Sequence, residues 1–355
     1  MARIMHKALL LSVYSLNLQS QLFSHQGRIA LDLAKQFEYT YVVVNGNFEP
    51  DESVENAFSK TFSFKTRPKL KFIISSWILI VRLSRKHRND LVVFSFMTDY
   101  FSVVTSILTK LLGIKHVLWY AHAHKSFHFF ISSFFVDRII SSTRDSLPSK
   151  SKKANLLGQM VDSQIFTYFA NRDYKKSAIA LYVGRVDESK GLDEIIIALH
   201  SSGCFSGDFK LIVIGEPTPG NEHFFSRLNL LISEMHIESH IIFLGKQSPK
   251  EINELMHSSD FLVHNFKGSL DKVLVEAALT GLPIITTNLG FQREFLQVYK
   301  DTSLNNRLTF SDELRYFFQM KVEERTARVN NCYMTALLNH EFSSWFKKLL
   351  QELDG

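Results

Sequence analysis

The sequence predicts an α/β protein of two wound domains, each a parallel sheet with crossover helices. A chain of 355 residues exceeds one ordinary hydrophobic core and suits two domains. Apolar, β-rich runs alternate with helical periods along its whole length, as parallel strands joined by helices require. The rhythm pauses once, at the polar stretch Thr167–Ala178, and then starts again.

In the first half the strands are read at ALLLSVYS, YTYVVVNG, DLVVFSF, KHVLWYAH and DRIISST, with helices at RIALDLAKQF and from Lys69 to Arg88. In the second half AIALYVGRV, DFKLIVIG, HIIFLG, DFLVHN and LPIITTN are strands. Between them DEIIIALHSS, EHFFSRLNLLISEMH, PKEINELMHSS and KVLVEAALT are helices. The predicted domains are 1–165 and 176–335, with Thr167–Ala178 as linker. From about Ser311 the pattern is helical, and the closing helix, about 338–355, carries Phe342, Trp345, Phe346, Leu349 and Leu350 on one apolar stripe. It is expected to pack back on the first domain.

Composition narrows the function classes. A hydrophobic fraction of 45% is that of a globular chain. Two cysteines, Cys204 and Cys332, make neither a disulfide framework nor a zinc site, so a reducing cytoplasm is the expected compartment. The opening MARIMHKALLLSVYSL lacks a small-residue cleavage site after its apolar run and is read as a first buried strand. No run reaches the roughly 18 to 20 apolar residues of a spanning helix.

The net charge of +6 is unevenly spread. Residues 1–176 carry 24 Lys and Arg against 12 Asp and Glu, and the remainder carries 17 against 23. The basic half is expected to face something anionic, with no nucleic acid partner implied.

Two segments carry the chemistry. In LYVGRVDESKGLDEIIIAL a strand runs into a turn at Gly184, then Arg185, and Lys190 with Gly191 stands at the mouth of the next helix. Two cations where unpaired backbone N–H groups and a helix dipole already favour negative charge form a site suited to a diphosphate. In VHNFKGSLDKVLVEAALTGLPIITTNLG a strand ends at His264 and Asn265. The loop Gly268, Ser269, Leu270 and Asp271 follows, and a helix begins that carries Glu276 about one turn in. That loop brings more N–H groups to a helix N-terminus, and a carboxylate at Glu276 can accept hydrogen bonds from both hydroxyls of a ribose.

With these residues in view, the chain resembles the group 1, family 4 retaining glycosyltransferases of the GT-B fold, which have two facing Rossmann-like domains. GRVDESKG matches the family's donor-phosphate motif, and GSLDKVLVEAALTGLPIITTN matches its donor loop, helix and following strand. LLGQMVDSQIF is similar to its interdomain segment and LIVIGEPTPG to its glycine turn. The likeness covers about Leu156 to Glu294, and the first half in outline.

The resemblance implies transfer of a sugar, with retention, from a nucleoside-diphosphate sugar to an acceptor. Arg185 and Lys190 would neutralise the diphosphate and Glu276 would hold the ribose. Leu270, Asp271, Lys272 and Val273 would supply the loop around phosphate and sugar. Gly215 and Glu216 would approach the nucleotide, and Phe243, Leu244 and Gly245 would lie near the base. His122, just after a strand in VLWYAHAHKSF, resembles the family histidine that reaches the donor sugar, and His124 shares its loop. Gly27 and Arg28, in SHQGRIALDLAKQF, would border acceptor or phosphate, and Glu294 resembles a glutamate near the donor.

One departure stands out. The family usually carries a second glutamate eight positions before the ribose-binding one, and here that position is Gly268.

No cofactor or metal is implied, since no Asp-x-Asp motif occurs. No strand is followed by G-x-G-x-x-G, which removes the dehydrogenases. A GT-B nucleotide-sugar epimerase and a non-catalytic GT-B partner subunit remain as alternatives. The acceptor implied by bacterial relatives is a glycan or lipid-linked unit of a surface polysaccharide such as O-antigen or capsule. Last, Lys60 to Arg88 holds no acidic residue: Lys60, Lys65, Arg67, Lys69, Lys71, Arg82, Arg85, Lys86 and Arg88 flank FIISSWILIV, with Trp77 at its centre. This predicts a helix on an anionic membrane surface, the inner face of the cytoplasmic membrane being the expected place.

Overall fold

The computed structural model describes residues 6–18, 24–46, 54, 56–64, 69–122, 124–148, 151–174, 177–296 and 309–354. Lys65 and Arg67 of the basic stretch and Lys175 and Lys176 of the expected linker lie outside these. The chain divides into two units: residues 1–157 with 346–355, and residues 158–345.

The first unit holds a seven-stranded parallel sheet ordered β3-β2-β1-β4-β5-β6-β7. Its strands are β1 (Ala8–Val13), β2 (Tyr39–Val44), β3 (Lys60–Ser63), β4 (Leu91–Phe96), β5 (Lys115–Trp119), β6 (Arg138–Ser141) and β7 (Ala154–Leu156). The edge strands β3 and β7 carry no strong apolar signal in sequence, and their burial patterns are exposed or half-buried throughout. Every residue of β1 and β4 is buried. Strands covered on both faces read as unbroken apolar runs, which is why these were visible in sequence.

The helices of this unit are α1 (Ser24–Ala34), α2 (Lys69–His87), α3 (Asp99–Leu111) and α4 (Phe127–Phe135). Buried Phe72, Leu79, Ile80 and Leu83 of α2 join Leu10, Val43 and Val93 of the sheet in one core. Buried His116 is held by Ser95 Oγ at 2.9 Å and Thr109 Oγ1 at 3.1 Å. Burial pushes its pKa down to about 3, so it is a neutral structural link between sheet and α3.

The second unit repeats the winding with five parallel strands ordered β10-β9-β8-β11-β12. They are β8 (Ile179–Val183), β9 (Lys210–Ile214), β10 (Ile241–Gly245), β11 (Phe261–His264) and β12 (Ile284–Thr286). The helices are α5 (Leu192–Ser201), α6 (Glu222–Glu234), α7 (Pro249–Ser258) and α8 (Lys272–Leu279), followed by α9 (Phe310–Gln319), α10 (Val322–Asn339) and α11 (Phe342–Asp354). The single long helical pattern near the C-terminus is thus three helices. In α11, Trp345, Leu349 and Leu353 are fully buried. Its last turns belong to the first unit, where Asn155 Nδ2 donates to Glu352 at 2.7 Å.

The polar stretch expected as a linker is, from Thr167 to Tyr174, built into the second unit. Thr167 N donates to Asn253 Oδ1 at 3.1 Å, and Phe169 N donates to the Thr280 carbonyl at 3.1 Å. Arg172 donates to the Met256 carbonyl at 2.8 Å and to that of Ser259, satisfying the open carbonyls where α7 ends. The polar residues that read as solvated are anchors for backbone groups. The division falls earlier, at 157/158. Beyond it, Val161 pairs with the turn between α10 and α11, accepting from Phe342 N and donating to the His340 carbonyl, both at 2.8 Å.

Candidate donor site

In a sheet wound in the order 10-9-8-11-12, the chain leaves β8 towards one edge and β11 towards the other. The crevice beyond their carboxyl ends is where such sheets bind ligands. Both sequence motifs arrive there, Gly184 to Lys190 after β8 and His264 to Asp271 after β11.

Two glycines allow the backbone to close up at this edge. Gly215 follows β9 with φ +130°, and a Cβ on it would stand 1.9 Å from the Gly184 carbonyl oxygen. Gly191 has φ +62°, which L side chains avoid, and a Cβ there would meet Asn265 Nδ2 at 2.6 Å. Position 191 both ends the short turn Glu188–Lys190 and starts α5, so Lys190 is aimed back over the crevice.

Lys190 is mostly buried and donates to Asp271 Oδ2, and its ammonium lies 4.0 Å above the Phe266 ring. Asp271 also meets His264 Nε2 at 3.3 Å, and His264 Nδ1 is 3.0 Å from Thr286 Oγ1. Burial alone would raise the Asp271 pKa. The His264 hydrogen bond and the charge of Lys190 outweigh it and hold the carboxyl well below the usual carboxylate range.

Asp271 is the N-cap residue of α8, yet its side chain caps nothing. Because that carboxylate is drawn to Lys190 and His264, it accepts nothing from the first N–H groups of α8. Arg185 is 60% exposed, with Nε 3.4 Å from Asp187 Oδ2. Glu276, one turn into α8, is 13% exposed and makes one contact among the described residues, an ion pair of 3.9 Å with Lys272. Burial pushes its pKa up, and the Lys272 charge opposes this.

Three residues that were not singled out in the sequence shape the loop. Buried Asn288 donates to the Phe266, Gly268 and Ser269 carbonyls at 2.8, 3.2 and 3.1 Å, and accepts from Phe291 N at 2.8 Å. Gln159 Nε2 donates to the Leu270 carbonyl at 2.6 Å. Phe266 explains Gly268: a Cβ at position 268 would fall 2.1 Å from the tip of the Phe266 ring. The ring that fills the space beside Gly268 also lies under Lys190. A local signal existed only for Asn288, an Asn just past a strand and before a helical start.

Elsewhere the predicted residues are spread. Glu216 pairs with Lys246 at 3.0 Å beside Gly245. Leu244 is exposed on edge strand β10, whereas half-buried Phe243 packs edge-on against Phe225 at 5.4 Å at the margin of the core. Leu270 and Val273 are buried core residues. Glu294 faces His340 Nε2 at 3.5 Å, and Gln159 N donates to His340 Nδ1 at 3.2 Å.

In the first unit, His122 and His124 sit exposed on the loop after β5, His122 edge-on to Tyr120 at 5.6 Å. Tyr120 OH donates to the His124 carbonyl at 2.6 Å and fixes the loop. Gly27 and Arg28 lie in the first turn of α1, and a Cβ on Gly27 would press on the Leu16 carbonyl at 2.8 Å.

Comparison with known proteins agrees with this picture. Residues 164–326 match the family model described as Glycosyl transferases group 1. Spore coat protein SA of Bacillus subtilis is 30% identical over 130 residues, covering 35% of this chain and 33% of that protein. The N-acetyl-alpha-D-glucosaminyl L-malate synthase of Bacillus anthracis is 37% identical over 91 residues, covering 25% of this chain and 22% of the synthase. The chain thus spans a third or less of these two relatives in alignment. Among solved structures, HepE of Anabaena in complex with UDP superposes with a TM-score of 0.75 at 16% identity, over 98% of this chain and 99% of HepE. The fold is GT-B, its two units being Rossmann-like.

Proposed function

We propose that this chain, whose residues 164–326 match the group 1 glycosyltransferases, transfers a sugar from a nucleoside-diphosphate sugar to an acceptor. One observation carries the reading. At the switch point of the second sheet stand two cations, a helix N-terminus that its N-cap side chain leaves uncapped, and a carboxylate without a hydrogen-bond partner among the described residues. A diphosphate fits the cations and the N–H groups, and a ribose fits Glu276.

In this reading Arg185 and Lys190 stabilise the charge that develops on the departing diphosphate, where electrostatic catalysis gains most. Lys190 exchanges its bond to Asp271 for one to phosphate, and His264 keeps Asp271 satisfied. Exposed His122 is assigned to the donor sugar by its likeness to the family histidine, and the stereochemical course is retention. HepE has been solved with UDP and with UDP-glucose, which supports a UDP-sugar as the first donor to try. The acceptor assigned is a lipid-linked or growing surface glycan, met at the inner face of the membrane. Among the described residues no helix is long and apolar enough to cross a membrane, and the association assigned is a peripheral one.

The test is donor screening by thermal shift and hydrolysis with UDP- and GDP-sugars. A donor that raises the melting temperature and is slowly hydrolysed supports transfer. Binding without turnover in the presence of acceptor glycolipids would favour the non-catalytic subunit.

A further inference from the structure

The first unit wears its apolar residues on the outside. In α2 the buried residues Phe72, Ser76, Leu79, Ile80 and Leu83 form the inner face. Leu70, Ile74, Trp77 and Ile78, at 68, 49, 45 and 55% exposure, form a second apolar stripe on the opposite side, since residues 3.6 positions apart share a face.

Neighbouring α3 is inverted. Its inner face is Ser102, Thr105, Ser106 and Thr109 around Phe101, while Ile107 and Leu111 are 41 and 79% exposed. Small hydroxyl residues let the helix lie close to the sheet and send its aliphatic side chains outward. In α4, Phe129 and Ser132 are buried, while Phe127, Phe130 and Phe134 are 72, 42 and 61% exposed. The three helices pack side by side, α2 on α3 and α3 on α4, with Trp77 Nε1 donating to the Val104 carbonyl at 2.8 Å.

The charge around this face is predominantly positive. Between Lys69 and Phe135 the acidic residues are Asp90 and Asp99. Asp99 is engaged by Ser126 Oγ at 2.8 Å. Lys69, Lys71, Arg82, Arg85 and Lys125 are exposed, and the Lys125 ammonium lies 4.6 Å above the Phe130 ring. Lys86 is committed elsewhere, donating to Tyr41 OH at 3.0 Å.

We infer that the α2–α3–α4 layer is a docking face for an anionic lipid bilayer, with Leu111, Phe127 and Phe134 as anchors equal to those of α2. This rests on the membrane association proposed above and not on sugar transfer; Lys60 lies in β3, so the basic helix is α2 alone, and the inference widens it into a three-helix surface. A contiguous apolar patch of this kind calls for an occupant. A second copy would set these cations against their own equivalents across a two-fold axis. Anionic headgroups complement them while the acyl boundary takes the rings.

The tryptophans make the test possible without any substitution. Trp119 and Trp345 are buried and Trp77 is exposed, so a change in emission on adding vesicles reports on this face. Phosphatidylglycerol-containing vesicles should blue-shift the emission, shield it from acrylamide and sediment the protein. Phosphatidylcholine vesicles should do less, and salt raised from about 0.05 to about 0.5 M should weaken binding by shortening the Debye length about threefold. Phe127→Ser with Phe134→Ser, and Leu111→Ser, should each lower the partition coefficient by about tenfold. Leu230→Ser, equally exposed on the second unit, should leave it unchanged. The inference is overturned if wild-type protein ignores anionic vesicles, or if the substitutions at Leu111, Phe127 and Phe134 leave binding at the wild-type level. Dimerisation in their absence, abolished by the same changes, would equally overturn it.

Discussion

The two units share a winding order and differ in what they place at its switch point. In the first, the hydrogen bonds described beyond β1 and β4 join uncharged residues. Ser12 Oγ accepts from Thr98 Oγ1 at 2.9 Å and from Asn45 Nδ2 at 2.7 Å, and Gln26 Oε1 accepts from Tyr14 N at 2.8 Å. In the second, the same position holds Lys190, Asp271, His264 and Arg185. The fold supplies a crevice in both cases, and loop residues decide whether it is a neutral seam or an anion site.

The largest effect that would break this contrast is expected at the cations. Lys190→Ala and Arg185→Ala should each weaken nucleotide-sugar turnover by about 1.5 to 3 kcal/mol of phosphate interaction. Lys190→Ala also leaves Asp271 without its cation and should lower the melting temperature, whereas exposed Arg185 should not. Near-normal turnover in both variants would remove the phosphate site from the second unit.

Next in size is Glu276. Glu276→Gln should weaken UDP binding by about tenfold, roughly 1.4 kcal/mol, measured by calorimetry, while Glu294→Gln, whose carboxylate faces His340, leaves affinity unchanged. The empty protein should respond with the opposite sign. Burial raises the Glu276 pKa, so its contribution to stability is present at pH below its unfolded value and is lost as pH rises through the folded one. The Gln variant should therefore melt no lower than wild type at neutral pH. Equal donor affinities for the two variants would place the ribose elsewhere.

Gly268→Glu alone should reduce activity, because the new side chain meets the Phe266 ring. Paired with Phe266→Ala it should recover activity above either single change, and failure to recover would show that the ring serves Lys190 rather than merely filling space. The smallest effect sharpens the neutral side of the comparison. Ser12→Ala should cost about 1 kcal/mol of stability in a urea melt and leave UDP affinity untouched. Loss of UDP affinity would bring the first switch point into the donor site.

Much of this was legible in sequence, for identifiable reasons. Strands such as β1 and β4 are buried on both faces and declare themselves as apolar runs, and Arg185, Lys190 and Glu276 lie within short motifs whose spacing to a helix start fixes their placement. The edge strands β3 and β7 carry no such run, and Thr167–Tyr174 reads as linker because anchoring hydrogen bonds look like solvated polarity in one dimension. What tertiary structure alone decided are pairings between distant segments. Asp271 turned from capping α8 to holding Lys190, Phe266 took the space at Gly268, and Asn288 gathered three carbonyls of a loop about twenty residues earlier. Local sequence sets backbone conformation and periodicity through contacts a few residues apart. Which buried polar group satisfies which depends on chain segments that meet only once the sheet is wound.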